Sequence, residues 1–254
     1  MNEEKYNIAY QRRKDKYEAY AARKVKSLLD YQLQKFAKRI QQYGLETARN
    51  YVDADFQANE LFATVKGIYL QVGKKEATFV DKFISDQVKR KSQSIDIDFF
   101  SLMWERLITV FAQNPDTAVK ITRVNDYTKQ LVRNAIEEVM PLGLGSALQA
   151  RAIREKVSQF NKTRSLLIAR TETTTIANYA SYQAAINSGA NLVKVWIATG
   201  DGRTRDWHVT ANGQTVGIKE SYIVNDMRME YPGDPRGGAS NVCNCRCTQY
   251  YRVK

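Results

Sequence analysis

Residues 21–43 read AARKVKSLLDYQLQKFAKRIQQY, and this stretch predicts the main element of the fold. Its apolar side chains recur every three or four residues, the spacing of one helix face. They are Ala21, Val25, Leu29, Leu33, Phe36, Ile40 and Tyr43. No Gly or Pro occurs from Tyr6 to Tyr43, and Gly44 is a natural stop. We predict one helix over about residues 3–43. It would reach about 60 Å, so part of it should project or pack on a partner.

Helical periodicity continues beyond Gly44, so the whole N-terminal region is predicted to be helical. The further helices are expected over about residues 45–71, 76–91, 97–113 and 116–139. The sequence Pro141-Leu142-Gly143-Leu144-Gly145 then interrupts the pattern. We place a domain boundary at this break, between a helical region of residues 1–140 and a module of residues 141–254.

The module after the break mixes helices with strands. Two helices are predicted over about residues 146–159 and 162–187. After Gly189 the sequence becomes β-branched and aromatic, and strands are expected at about 192–198 and 222–224. The predicted fold class is therefore mainly α: a helical N-terminal region with a long first helix, followed by a small α+β C-terminal module.

The composition indicates a folded, basic protein. Of its 254 residues 43% are hydrophobic, which suffices for a sizeable core, and no apolar run is long enough to span a bilayer. No secretory signal is visible, so we expect synthesis in a cytosol. The 39 Lys and Arg residues exceed the 27 Asp and Glu residues, which gives a net charge of +12. Such a balance favours a polyanionic neighbour such as DNA.

Half of that excess lies in the first 50 residues, which hold 12 basic and 6 acidic side chains. A nucleic-acid-binding module would use the basic positions of the first helix on phosphates. The candidates are Arg12, Arg13, Lys14, Lys16, Arg23, Lys24 and Lys26. The alternative is that these side chains only solvate a long helix.

The C-terminal module carries six sequence motifs in a fixed order. They are Ile168-Ala169-Arg170-Thr171-Glu172-Thr173 with Asn178, a strand with Trp196, Asp201-x-Arg203-Thr204-Arg205-x-x-His208, Gly213-Gln214, Pro232-Gly233-Asp234-Pro235 and Asn244-Cys245-Arg246-Cys247. In this order, over roughly residues 140–250, they resemble the phage Mu F-like minor head proteins, also called the phage head morphogenesis family. Some members carry Cys-x-x-Cys where this chain has Arg205–His208, and a His shortly before the final Cys-Arg-Cys; this chain departs from that version.

The resemblance implies a virion component without enzymatic activity. Minor head proteins of this kind are present at low copy and act with the portal in head morphogenesis and in DNA packaging or ejection. The expected partner is the portal protein, and the scaffold, the major capsid protein and packaged double-stranded DNA are further candidates; no membrane is involved. We expect assembly in the host cytoplasm and a place in the head interior or at the portal vertex, with the N-terminal helices supplying the interfaces.

The motif residues that the resemblance singles out are polar and charged. They are Arg170, Thr171, Glu172, Asp201, Arg203, Arg205, His208 and Arg246. The resemblance favours a structural network in which Glu172 or Asp201 pairs with one of the three loop arginines, because arginine–carboxylate pairs make fixed joints. A solvated helix surface is the alternative for residues 170–172.

All three cysteines lie within Cys243-Asn244-Cys245-Arg246-Cys247, and His208 is the only histidine. A zinc site of His208, Cys245 and Cys247, with Cys243 as a fourth ligand, is one interpretation. In an extended strand, however, residues two apart lie about 6.6–7 Å apart at Cα, which is wide for one metal. We therefore favour buried, reduced cysteines and expect no cofactor.

No catalytic residues are assigned from the sequence. An arginine–glutamate combination invites an ADP-ribosyltransferase interpretation, but no second acidic motif is evident beyond Glu220. Neither a Gly-x-Ser-x-Gly element nor a phosphate-binding Gly-rich loop occurs. The alternatives to a minor head protein are a nucleic-acid-binding protein that uses the basic first helix, and a zinc- or NAD-dependent enzyme.

Overall fold

The helices dominate the fold. A computed structural model describes residues 1–88 and 97–254, and side chains are described for 1–88 and 104–254. The chain is 73% helical and ends in a small module with antiparallel strands, which confirms the predicted mainly α class. The helices are α1 Glu3–Tyr43, α2 Leu45–Ala48, α3 Val52–Asp55, α4 Ala58–Gln87, α5 Ile97–Gln113, α6 Pro115–Val139, α7 Ser146–Asn187, α8 Asp206–Thr210 and α9 Gly238–Val242. None of the helices in the described part of the chain has the length and apolar content that a membrane crossing requires.

The long first helix is present, but it does not project. The Asn2 side chain caps its start by accepting a hydrogen bond from the Lys5 N–H at 3.0 Å, and Gly44, at φ 75°, ends it. Buried side chains occur along its whole length, from Tyr6 to Ile40. The expectation of a projecting segment is wrong because α4 and α7, with 30 and 42 residues, are long enough to cover it.

The helices predicted over residues 45–71 and 76–91 have different limits in the structure. Residues 45–55 form α2, a 3₁₀ turn and α3, and α4 then runs unbroken across Gly73. Gly73 is a site of close packing: a Cβ there would lie 2.2 Å from the Trp104 ring. The predicted helix end at residue 91 lies outside the described residues.

The predicted break between residues 159 and 162 is also wrong. One helix, α7, runs from Ser146 to Asn187. Asn161, in the expected gap, is buried and donates from Nδ2 to Asp30 Oδ1 on α1 at 3.0 Å. The predicted gap therefore contains a contact between α1 and α7.

The strands form two small sheets. They are β1 Leu192–Ile197, β2 Thr215–Gly217, β3 Tyr222–Val224, β4 Met227–Met229 and β5 Thr248–Val253. One sheet has the order β2-β1-β5 and the other pairs β3 with β4, all antiparallel. Because β1 pairs with β5 over its full length, the chain's last residues close against the strand that follows α7.

The largest core crosses the predicted domain boundary. It joins apolar side chains of α1 and α4 to those of α7, β1 and β5. A second core lies at the other end of the long helices, and a third, smaller core fills the C-terminal module around Trp196. The break at Gly143, φ 62°, separates two helices, α6 and α7. The division into 1–140 and 141–254 stays a prediction, but the two regions share one core.

We expect residues 141–254, expressed alone, to unfold without a cooperative transition. The α7 side chains Ile168, Ile176 and Ala180 belong to the shared core, and water would reach them in the fragment. Burial of one isoleucine is worth about 1.5–3 kcal/mol, so exposure of the two isoleucines would remove about 3–6 kcal/mol, a large share of the roughly 5–15 kcal/mol that stabilises a domain. Thermal unfolding followed by circular dichroism, with the full chain as control, measures it. A cooperative melt close to that of the full chain would contradict this expectation and support two domains.

Candidate functional site

One face of α7 carries buried hydroxyl and amide side chains. They are Thr171, Thr174, Thr175, Asn178 and Ser181, and each is at most 4% exposed. Their spacing of three or four residues places them along one side of the helix. We call these five residues the polar seam. Polar groups in such a position must find hydrogen-bond partners, because burial without them costs free energy.

Two residues of the polar seam donate to the backbone of the C-terminal motif. Thr174 Oγ1 donates to the Cys245 carbonyl at 2.7 Å, and Asn178 Nδ2 donates to the Cys247 carbonyl at 3.0 Å. Asn178 Oδ1 accepts from the hydroxyl of Thr248, the first residue of β5, at 3.1 Å. The helix thereby fixes the segment that carries the two cysteines.

Two other residues of the polar seam, Thr171 and Thr175, also contact backbone of the C-terminal module. The Asn244 N–H donates to Thr171 Oγ1 at 2.9 Å. Thr175 Oγ1 donates to the Gly233 carbonyl at 2.9 Å. Gly233 has φ 83°, and a Cβ there would lie 3.2 Å from the Thr175 backbone, so this close approach requires glycine. The Pro232–Pro235 motif therefore serves packing on α7.

Arg170 and Lys14 belong to one charged cluster between α1 and α7. Arg170 donates from Nε to Glu18 Oε2 at 3.1 Å and from Nη1 to Asn244 Oδ1 at 2.8 Å. Lys14 is buried and pairs with Glu18 Oε1 at 2.6 Å, and burial lowers its pKa. Lys14 is therefore not free to contact phosphate, contrary to the sequence interpretation.

The loop after β1 is held by an arginine–carboxylate pair. Arg246 binds Asp201 with both terminal nitrogens, one of them at 2.7 Å, and the Arg203 N–H adds a bond to the same carboxylate at 3.1 Å. The Arg246 hydrogen bonds lower the pKa of Asp201. Arg205 instead donates to the Cys243 carbonyl at 2.6 Å. These contacts join the loop to the segment before β5.

Glu172 takes no part in that pairing. It is 2% exposed and accepts from the Tyr69 hydroxyl on α4 and from Lys120 Nζ on α6 at 2.9 Å. Burial raises the pKa of Tyr69. Sequence reasoning missed Tyr69 and Lys120, since nothing local marks a tyrosine and a lysine so far along the chain as partners of this glutamate.

His208, Cys245 and Cys247 form a buried cluster in the C-terminal core. His208 Nδ1 lies 3.4 Å from Cys247 Sγ and 3.8 Å from Cys245 Sγ, and each residue is 2% exposed. The edge of Trp196 packs against the His208 ring, with centroids 5.7 Å apart. A cavity of only about 10 Å³ adjoins the cluster. The cluster is therefore closed to solvent.

These three side chains are the ones that could hold a metal ion. Two atoms bound to one tetrahedral zinc, a sulfur and a nitrogen, lie about 3.6 Å apart, which matches the separations seen. The strand-spacing objection fails because the segment is not a strand: Asn244 has φ 59° and β5 begins only at Thr248. Cys243 does not join the cluster, since it is half-buried and lines a different cavity. Closed zinc sites use four protein ligands, and the described residues supply three.

The two cysteines also interact with each other. A hydrogen bond with Cys247 lowers the pKa of Cys245, and the same hydrogen bond together with burial raises the pKa of Cys247. Both sulfurs also belong to the core around Trp196. Both sulfurs therefore contribute to the packing of this core.

The basic residues of α1 divide into exposed and paired positions. Arg12, Lys16, Arg23 and Lys24 are exposed. Arg13 instead binds the buried Glu76 at 2.7 and 2.9 Å, with its guanidinium 3.4 Å from the Phe79 ring centre, and Lys26 pairs with Asp30. Arg13 is therefore a contact between α1 and α4, contrary to the sequence interpretation.

We expect the protein to fold without metal. Chelation by EDTA should leave the melting temperature unchanged, because a closed site needs four ligands, the described residues supply three, and both sulfurs take part in the core around Trp196. Elemental analysis of the purified protein and thermal unfolding with and without EDTA measure this. Stoichiometric zinc that is lost together with stability in His208→Ala would contradict it.

Comparisons with known proteins find similarity in the C-terminal part of the chain. Residues 130–250 match the family described as Phage Mu protein F like protein. NAD(+)--arginine ADP-ribosyltransferase EFV of Enterococcus faecalis is 33% identical over 134 residues, which are 50% of this chain and 27% of that protein. This chain thus spans little more than a quarter of that relative. No solved structure gives a significant match.

The matched region contains the polar seam, the Asp201–Arg246 pair and the His208 cluster. The resemblance predicted from the ordered motifs is confirmed, and the match supports a phage head protein in general. Residues 130–250 of this chain are therefore similar to the Phage Mu protein F like family.

Proposed function

We propose that the protein is a minor head protein that acts with the portal in head assembly and in DNA packaging or ejection. The observation that carries this proposal is the family match over residues 130–250, together with the inward direction of the motif residues. Thr171, Thr174 and Asn178 bind backbone, and Asp201 binds Arg246. Residues with such internal contacts stabilise the module. This favours a structural protein that acts by binding other head proteins.

The same geometry argues against an enzyme at the motif. The small cavity beside His208 is far below the roughly 300–1,000 Å³ of ordinary ligand pockets. Glu172 is occupied by Tyr69 and Lys120, and Glu220 accepts a hydrogen bond from the Gly217 N–H of its own turn at 2.8 Å. The transferase named above shares 27% of its length with this chain, so its activity is not carried over.

We expect the chain to form a stable complex with the portal protein encoded by the same phage. Co-expression followed by size-exclusion chromatography should give co-elution, with each protein alone as control. The same complex incubated with labelled NAD⁺ and an arginine-containing acceptor should transfer no label. Separate elution of the two proteins would contradict the portal assignment, and label transfer that a Glu172→Gln variant lost would contradict the non-enzymatic one.

Nucleic-acid binding is a second candidate, favoured by one observation on α1. Arg12, Lys16 and Arg23 are four and seven residues apart, which places them on one helix face. All three are exposed, and none pairs with a carboxylate of the described residues. An exposed basic row of this kind suits phosphate contacts that do not read sequence.

We expect any binding to duplex DNA to weaken steeply with salt. Reversal of Arg12, Lys16 and Arg23 to Glu should reduce the salt dependence by about one unit of slope for each phosphate that is no longer neutralised. Fluorescence anisotropy with a labelled duplex at several NaCl concentrations measures this. The matched control reverses Arg151, Arg154 and Lys162 on α7, which changes the net charge equally. If the two triple variants reduce the salt dependence equally, the effect comes from net charge and the basic row is not the DNA-binding surface.

A further inference from the structure

A groove distinct from the small cavity beside His208 lies on the surface of the molecule. Its walls are α6, the middle of α7 and residues 235–243, and its volume is about 660 Å³. We call it the α6–α7 groove. Its surface is mostly apolar, from Pro115, Val119, Val124, Leu167, Ile168 and Val242. Val119 and Leu167 are 48% and 46% exposed, so the apolar surface extends onto the rim.

The charged side chains around this groove are nearly all basic. They are Lys120, Arg123, Arg164 and Arg236, against the single carboxylate of Asp116. Lys120 and Arg236 are already neutralised by Glu172 and Asp234. Arg123 and Arg164 pair with no carboxylate among the residues that the structure describes. These two guanidinium groups are therefore available to bind a carboxylate of a partner.

Arg164 is the more informative of these two cations. Its Nη2 donates to Thr128 Oγ1 at 2.7 Å, which holds the guanidinium in place beside the Tyr127 ring. Its Nη1 is buried and lacks a hydrogen-bond partner within the described chain. Burial without a carboxylate also lowers the pKa of Arg164. A fixed guanidinium with an unused donor is suited to receive a carboxylate.

We propose that the α6–α7 groove binds an amphipathic segment of another protein, one that carries carboxylates beside its apolar side chains. The apolar side chains would fill the groove, and a carboxylate would pair with Arg164 and Arg123. No residue of the polar seam or of the basic row on α1 lines this groove. The proposal holds whether or not the partner is the portal protein.

The shape and chemistry of the groove favour a peptide over DNA. A duplex binds through its phosphates to exposed cations and cannot fill an apolar concavity. An amphipathic helix, in contrast, places its apolar face into such a groove and its charged residues along the rim. The exposed apolar side chains on the rim extend the contact beyond the groove itself, which suits a partner of protein size.

The test is a selection of binding peptides with the intact chain. A yeast-displayed library of random 16-residue peptides is sorted for binding to the labelled protein. We expect the enriched peptides to combine Asp or Glu with apolar residues at helical spacing. Arg164→Gln should weaken their binding by about tenfold or more, because this variant cannot form the hydrogen-bonded charge pair.

Two further variants keep the test independent of folding defects. Arg123→Glu and Val119→Asp alter exposed positions, and each should weaken binding of the same peptides by about tenfold through repulsion of the carboxylates. Arg154→Gln, an exposed arginine of α7 outside the groove, is the matched control and should change nothing. The proposal is overturned if no peptides are enriched, if the enriched peptides lack acidic residues, or if their binding ignores all three groove variants. It is also overturned if these variants reduce binding of a 20-base-pair duplex and not of peptide.

Discussion

The hydrogen bonds between α7 and the backbone of residues 244–247 are the constraint on which the C-terminal module depends. Residues 243–247 belong to no strand, so their buried backbone groups have no ladder partners. A buried carbonyl left without a donor costs about 1–3 kcal/mol, and the polar seam supplies those donors from a helix that the large core already fixes. The position of the cysteines beside His208, and the start of β5, follow from that attachment.

Buried charges specify how the long helices fit together. Arg13 of α1 binds Glu76 of α4, and Tyr17 adds a hydrogen bond to the same carboxylate at 3.2 Å. Glu172 links α7 to two other helices in the same way. Removal of one partner from such a buried pair costs about 3–5 kcal/mol, whereas correct pairing adds little net stability. These contacts therefore act mainly against wrong alignments of the four helices that they join.

The sequence predicted α1 and α5 closely, because their limits are set by local signals such as Gly44. The sequence-based prediction was wrong where a helix limit depends on a contact with a residue far away in the sequence. The predicted gap between residues 159 and 162 contains Asn161, which contacts Asp30 of α1, and the predicted gap between residues 71 and 76 contains Gly73, which is a packing site. The same holds for the site. A helix face of threonine and asparagine resembles a solvated surface, and only the tertiary structure shows that it is buried against the backbone of the C-terminal motif.

One pair of substitutions tests the importance of the polar seam most directly. Thr174 and Thr173 are adjacent and fully buried, but Thr174 donates across to Cys245 whereas Thr173 donates only within α7. Valine keeps the shape of either side chain and removes the hydroxyl. From urea unfolding, we expect Thr174→Val to reduce the free energy of unfolding by about 1–3 kcal/mol and Thr173→Val by less than about 1 kcal/mol. Equal losses in the two variants would contradict the central role of the polar seam.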